Sequence, residues 1–175
     1  MIKIILIVVA LLIVGLLVYA ATRPDSFRIE RSAAIKAPPE KIFALINDFH
    51  AWGGWSPWEK IDPALKRSFS GADKGKGAAY AWEGNKNVGS GSMEITESTP
   101  SSRVLIKLDF TAPFEAHNTA EFTLQPQGDS TTVSWAMYGP SPYLSKLMGV
   151  FMNMDRMVGG QFETGLANLR AATEK

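Results

Sequence analysis

The sequence predicts an α+β fold in which an antiparallel sheet packs against a long C-terminal helix, the whole preceded by one transmembrane helix. Three observations carry this: an uncharged apolar run at the start, a middle third of short segments separated by turn residues, and a closing segment with apolar residues at three- and four-residue steps. At 175 residues the chain is long enough for one domain with a substantial core and short for two.

The first element lies in "MIKIILIVVALLIVGLLVYAATRPD", where Ile4 to Ala21 runs 18 residues without a charge. As a helix it measures about 27 Å at about 1.5 Å per residue, close to the ~30 Å hydrocarbon core of a bilayer. Lys3 can snorkel and Tyr19 suits an interface. The expected organisation is a single-pass anchor over residues 1–22, a linker over 23–26 and a folded domain over 27–175. A cleaved secretory signal is the competing reading, because Val18 and Ala20 fit a small-residue cleavage site; the run exceeds the roughly 7–15 residues of a usual signal core. The side of the membrane stays open, since Lys3 and the amino terminus face Arg23, Arg28, Arg31 and Lys36 across the span.

After "TRPD", Phe27, Ile29, Ala33 and Ile35 approximate strand alternation. "APPEK" stops that strand and starts a short amphipathic helix that should end near Asn47 or Asp48: Pro39 suits a first helical position, and Ile42, Phe43, Ile46 and Phe49 fall on one helical stripe. Six strands follow, in "LKRSFSG", "GAAYAWEG", "GSMEITEST", "SRVLIKLDFTAPF", "EAHNTAEFTLQPQG" and "STTVSWAMYG", with "PQGDS" reading as a hairpin turn. From Ser141 one long helix is expected, placing Leu147, Phe151, Met154, Val158, Phe162, Leu166 and Leu169 on a stripe. Gly149, Gly159, Gly160 and Gly165 each weaken such a helix by up to ~1 kcal/mol relative to alanine, which close approach to a sheet or ligand would offset.

Composition excludes several function classes. The formal charge is +1, which argues against a broad nucleic-acid footprint. The chain contains no cysteine, so disulfides, thiolate zinc sites and thiol nucleophiles are ruled out. His50 and His117 lack metal-ligand spacing, and neither a metal nor any other cofactor is expected. No G-x-S-x-G elbow appears, and "GADKGKGAAY" lacks Walker spacing.

The segments "IKAPPEKIFALINDFHAWGGWSPW" and "YGPSPYLSKLMGVFMNMDRMVGGQFETGLANL" resemble the START-like SRPBCC superfamily, in its polyketide cyclase/dehydrase and lipid-transport branch, over roughly residues 26–173. The resemblance implies the helix-grip fold, a curved antiparallel sheet wrapped around the C-terminal helix and enclosing an apolar cavity. It implies a ligand-binding scaffold more firmly than a reaction. The expected function is a membrane-tethered, non-enzymatic binding module for a small hydrophobic or lipid-like ligand. A polyketide cyclase/dehydrase-like enzyme and a co-chaperone-like interaction domain are the alternatives; the oligomeric state stays open.

Candidate ligand contacts fall in three groups. Trp52, Trp55 and Trp58 crowd around Gly53, Gly54 and Pro57 just after the first domain helix, where they either plug the open end of the sheet or stack on a flat guest. Strand faces contribute Tyr80, Trp82, Phe110, Phe122, Trp135 and Met137, and the closing segment contributes Met148, Met152 and Phe162. The methionines Met148, Met152, Met154 and Met157 fit gap-filling in a core or a deformable cavity wall. An enzyme would need an inward acid or base. His50, Asp48 and Glu83 are candidates, whereas strand phase turns Lys107, Asp109, Glu115 and His117 outward. The excess of basic residues from Lys60 to Lys86 is read as a solvated face or a patch for anionic headgroups.

Overall fold

A computed structural model describes residues 1–174; Lys175, the last residue of the expected domain, lies outside the described residues. The chain begins with α1 (Ile2–Ala21), 20 residues long and apolar enough to cross a membrane, which is followed by β1 (Ser26–Ile35). Next come α2 (Pro39–Ile46), the single turn α3 (Trp52–Trp55) and a 3₁₀ turn over Pro57–Lys60. The strands β2 (Lys66–Gly71), β3 (Ala78–Glu83), β4 (Ser90–Thr99), β5 (Arg103–Ala112), β6 (Ala116–Gln127) and β7 (Ser130–Pro140) follow in the order expected.

All seven strands form one antiparallel sheet ordered β1-β7-β6-β5-β4-β3-β2. β2 to β7 is a meander, and β1 closes onto β7, so the segment carrying α2 and α3 must cross from one edge of the sheet to the other. Alternation does what it predicts on β5: Val104, Ile106 and Leu108 are buried, and Lys107 is exposed. A register shift between Ile95 and Glu97 places a bulge in β4, a device that bends a strand and increases its twist.

The closing segment is two helices rather than the single one its periodicity predicts. α4 (Tyr143–Phe151) ends at Met152, whose backbone is extended, and α5 (Met154–Thr173) starts afresh with the Asn153 side chain accepting a hydrogen bond from the Arg156 amide at 2.9 Å. A local cap therefore outcompetes continuation of the helix. Only α5 lies on the sheet, burying Phe162, Leu166 and Leu169 among Ile35, Ile42, Val133 and Trp135 in the core. It is tied down by Asn168 Nδ2 donating to Trp55 O (2.9 Å), Lys41 Nζ to Thr173 O (2.6 Å) and an Arg170 N–H to Ala34 O (2.7 Å).

Two of the four helix glycines are explained by close approach. A Cβ on Gly165 would stand 2.6 Å from the Trp135 ring and 3.2 Å from Pro57 Cδ, and one on Gly159 would collide with the Arg31 guanidinium. Arg31 uses that space to reach Asp155 (2.9 Å) and Glu163 (2.8 Å), clasping β1 to the first turns of α5; these contacts raise its pKa. Gly149 and Gly160 face open space, so close approach to the sheet does not explain either; Gly149 lines a cavity between the sheet and the start of α5. Gly165→Ala should consequently destabilise by about 1–3 kcal/mol through overpacking. Gly160→Ala should stabilise by up to ~1 kcal/mol. Urea unfolding followed by tryptophan fluorescence separates the two; equal effects would contradict the packing assigned to Gly165.

Candidate functional site

The turn after α2 is built by its tryptophans. Trp52 Nε1 donates to Ile46 O (3.0 Å) and Trp55 Nε1 to Leu45 O (3.2 Å), capping carbonyls at the end of α2 that lack helical partners. Trp55 is 1% exposed and makes edge contacts with Phe122 and Trp135. Trp135 in turn stacks on Phe162 with ring centroids 4.3 Å apart and on Phe122 at 4.8 Å. This aromatic block fills one end of the space between sheet and α5.

The other end is hollow. A cavity of about 1040 Å³, open on one side, lies between the sheet, the tryptophan turn and the start of α5. That volume is at the upper end of the ~300–1,000 Å³ typical of small-molecule sites. Trp52, Trp58, Trp135 and Phe162 form the wall toward the aromatic block; Tyr80, Trp82, Phe110 and Met137 come from the sheet; Met152 stands at the rim. Trp55 and Phe122 do not reach the wall, because both are consumed in core packing behind it. Met148 is also absent from the wall, because α4 lines the cavity with Ser145, Lys146, Gly149 and Val150 instead. The break between α4 and α5 puts Met154 and Met157 on the surface, so the methionine-rich stretch does not fill the core.

The wall carries one buried acid that pattern reasoning missed. Glu59, its side chain 7% exposed, accepts a hydrogen bond from Tyr80 Oη (2.7 Å) and pairs with Arg67 Nε. Burial, then this hydrogen bond, push the Tyr80 hydroxyl well above the ordinary tyrosine range; the Glu59 contact raises Arg67. The residues come from the Pro57–Lys60 turn, β2 and β3, and the pairing of Arg67 with Trp82 and Phe69 with Tyr80 brings the strands into place. The one sequence signal was the position of Glu59 directly after Trp58. Because Tyr80 keeps its proton longer in the folded than in the unfolded chain, stability should fall as pH rises above about 10, the ordinary tyrosine value. Tyr80→Phe should flatten that slope in alkaline unfolding titrations; an unchanged slope would remove Tyr80 as its source.

Most of the other candidates lie away from the wall. His50 is exposed, stacks on Phe69 at 4.2 Å and contacts Asp48 at 3.1 Å, so neither belongs to the cavity. Glu83 faces solvent beside Lys66 at 3.5 Å. His117 is solvent-facing as expected, held by Asp109 (2.8 Å) and Glu115 (3.2 Å), which raise its pKa; it and Glu115 nonetheless stand on the rim of the cavity, at the start of β6. Among the described residues no group of three or more His, Asp or Glu is placed to hold a metal.

This geometry has known counterparts. The family model described as polyketide cyclase / dehydrase and lipid transport matches residues 26–174. The chain belongs to that family. Solved structures add the fold at low identity. Protein CV1439 from Chromobacterium violaceum matches with TM-score 0.60 and 17% identity, covering 87% of this chain and 99% of its own. The Aha1 dimer from Colwellia psychrerythraea matches with TM-score 0.59 and 18% identity, over 85% of this chain and 96% of that one. DynU16, from the dynemicin biosynthetic locus, matches with TM-score 0.56 and 14% identity over 85% of this chain and 47% of its own. No curated protein matches the chain in sequence. The seven-stranded sheet and its C-terminal helix are thus the helix-grip architecture of this family.

Proposed function

We propose that the chain is a membrane-tethered module that holds one small apolar or lipid-like molecule in the cavity, with α1 as anchor, residues 23–26 as linker and the remainder as the binding domain. The carrying observation is the cavity itself, roomy and walled by aromatic side chains while the neighbouring core is packed. Glu59 and Tyr80 give it a polar corner, which suits a guest with one hydroxyl or other donor on an apolar body. Tethering raises the local concentration of a sparingly soluble guest at the cavity, as a linker does for a joined module.

The wall indoles Trp52, Trp58, Trp82 and Trp135 supply the test. Full-length protein in nanodiscs, titrated with fatty acids and with flat polycyclic aromatics, should show a saturable change in tryptophan fluorescence for at least one class. Lack of any saturable response to either would sink the proposal.

A second reading, a cyclase or dehydrase that folds a polyketide-like chain in the cavity, is favoured by one observation. Glu59 is an inward acid of the kind such chemistry needs. Both carboxylate oxygens are already engaged, by Tyr80 and Arg67, which favours a binding role over proton transfer. Acceleration of ring closure in a poly-β-ketone thioester, abolished by Glu59→Gln, would reverse that preference.

A further inference from the structure

The anchor and the cavity meet at α4. Leu16 is half-buried and Ala20 fully buried where α1 packs on this helix, and the Tyr143 hydroxyl donates to Leu17 O at 2.9 Å. Leu17 lies four residues before the end of α1, about 6 Å along its axis. The 20 residues of α1 reach only about 30 Å, the thickness of the hydrocarbon core, so little of the helix can project beyond it. With α1 spanning the bilayer, α4 is therefore held at the boundary between acyl chains and headgroups, a level that suits the Tyr143 ring.

The exposed surface there is largely apolar, with Asn153, Asp155 and Arg156 as the exposed polar residues beside its end. Leu144 is 57% and Phe151 72% exposed, and Met152 and Met154 continue the patch into the first turn of α5. The one lysine of α4, Lys146, is turned inward with its side chain 8% exposed, paired with Asp25 just beyond the span. The same region is the mouth of the cavity: Arg23 and Pro24 at the exit of α1, Phe114 of the β5–β6 loop, and Phe151, Met152 and Met154 stand around it, with the exposed Glu115, His117 and Asp155 beside them.

We propose that α4 and the rim residues Phe114, Phe151, Met152 and Met154 dock on the lipid surface, so that the cavity opens onto the leaflet and exchanges its guest with lipid without passing through bulk water. This rests on reading α1 as a membrane span and deepens the binding reading by naming the source of the ligand. A bilayer, rather than a second copy of the chain, is the occupant because the patch is continuous with the end of the span and α4 cannot leave that level while packed on α1.

The absence of cysteine makes the test direct. Leu144→Cys, Phe151→Cys, Ile7→Cys and Gln127→Cys are each nitroxide-labelled in the full chain and reconstituted in phosphatidylcholine/phosphatidylglycerol vesicles. Gln127 lies beside the β6–β7 turn, at the end of the sheet opposite the start of β1, and serves as the water reference. Labels at 144, 151 and 7 should collide more with dissolved oxygen than with a water-soluble nickel chelate, and the ratio should invert at 127. Water-like ratios at 144 and 151 with Ile7 in the bilayer would overturn docking while leaving the anchor intact. Shielding of 144 and 151 from both quenchers would mean a protein cover and also overturn it. A water-exposed label at 7 would overturn anchor and docking together. None of these outcomes bears on the fluorescence titration, so failure of docking and failure of ligand binding are separately visible.

Discussion

Replacing Trp135 by alanine should lower stability by about 3–5 kcal/mol, a large share of the roughly 5–15 kcal/mol that holds a domain folded. The residue is buried between Phe162 and Phe122 and has edge contacts with Trp52, Trp55 and Trp58, so its removal strips a partner from every ring of the block. These are the contacts through which β7 meets both the tryptophan turn and α5. The void would merge with the existing cavity rather than close, because Trp135 already forms part of its wall. Trp135→Phe keeps a ring in place and should cost less. Urea midpoints for the three proteins check the order, and a loss below about 1 kcal/mol for the alanine variant would show that the block is not the stabilising centre assigned to it.

Filling the cavity should separate binding from stability. Ala120 on β6 is buried in register with Met137 and Ile106 and faces the hollow. Ala120→Trp sends an indole into space that is already empty, so the fold should survive, whereas affinity for a guest should fall at least ~100-fold, about 2.7 kcal/mol. Fluorescence titration alongside urea unfolding reads both quantities on one sample. Undiminished binding in a stable variant would place the guest outside this cavity. Lost binding with collapsed stability is read against Met137→Phe, a smaller filling of the same wall, which should weaken binding in a folded protein.

The strands, their order along the chain and the helix over Pro39–Ile46 were legible in the sequence because each depends on local signals: period-two alternation, Pro39 at the first helical position, turn residues at each boundary. The break between α4 and α5 was not, since the stripe from Leu147 to Leu169 continues in phase through Met152. The Asn153 cap, and the separate partner α1 offers α4, overrule it. Glu59 was equally hidden: its neighbours Arg67 and Tyr80 lie 8 and 21 residues away, and no periodicity links a 3₁₀ turn to strands beyond it.

The sequence by itself determined the kind of elements, the uncharged run of α1, the absence of cysteine chemistry and the aromatic stock from which a core or a cavity wall is made. Tertiary structure alone decided how that stock was divided. Trp55 and Phe122 went into packed core, Trp52, Trp58 and Tyr80 onto an open wall, and α4 onto α1. The physical reason is that an unfilled volume belongs to no segment: it is the distance left between elements after their contacts are satisfied, and local patterning carries no measure of that distance.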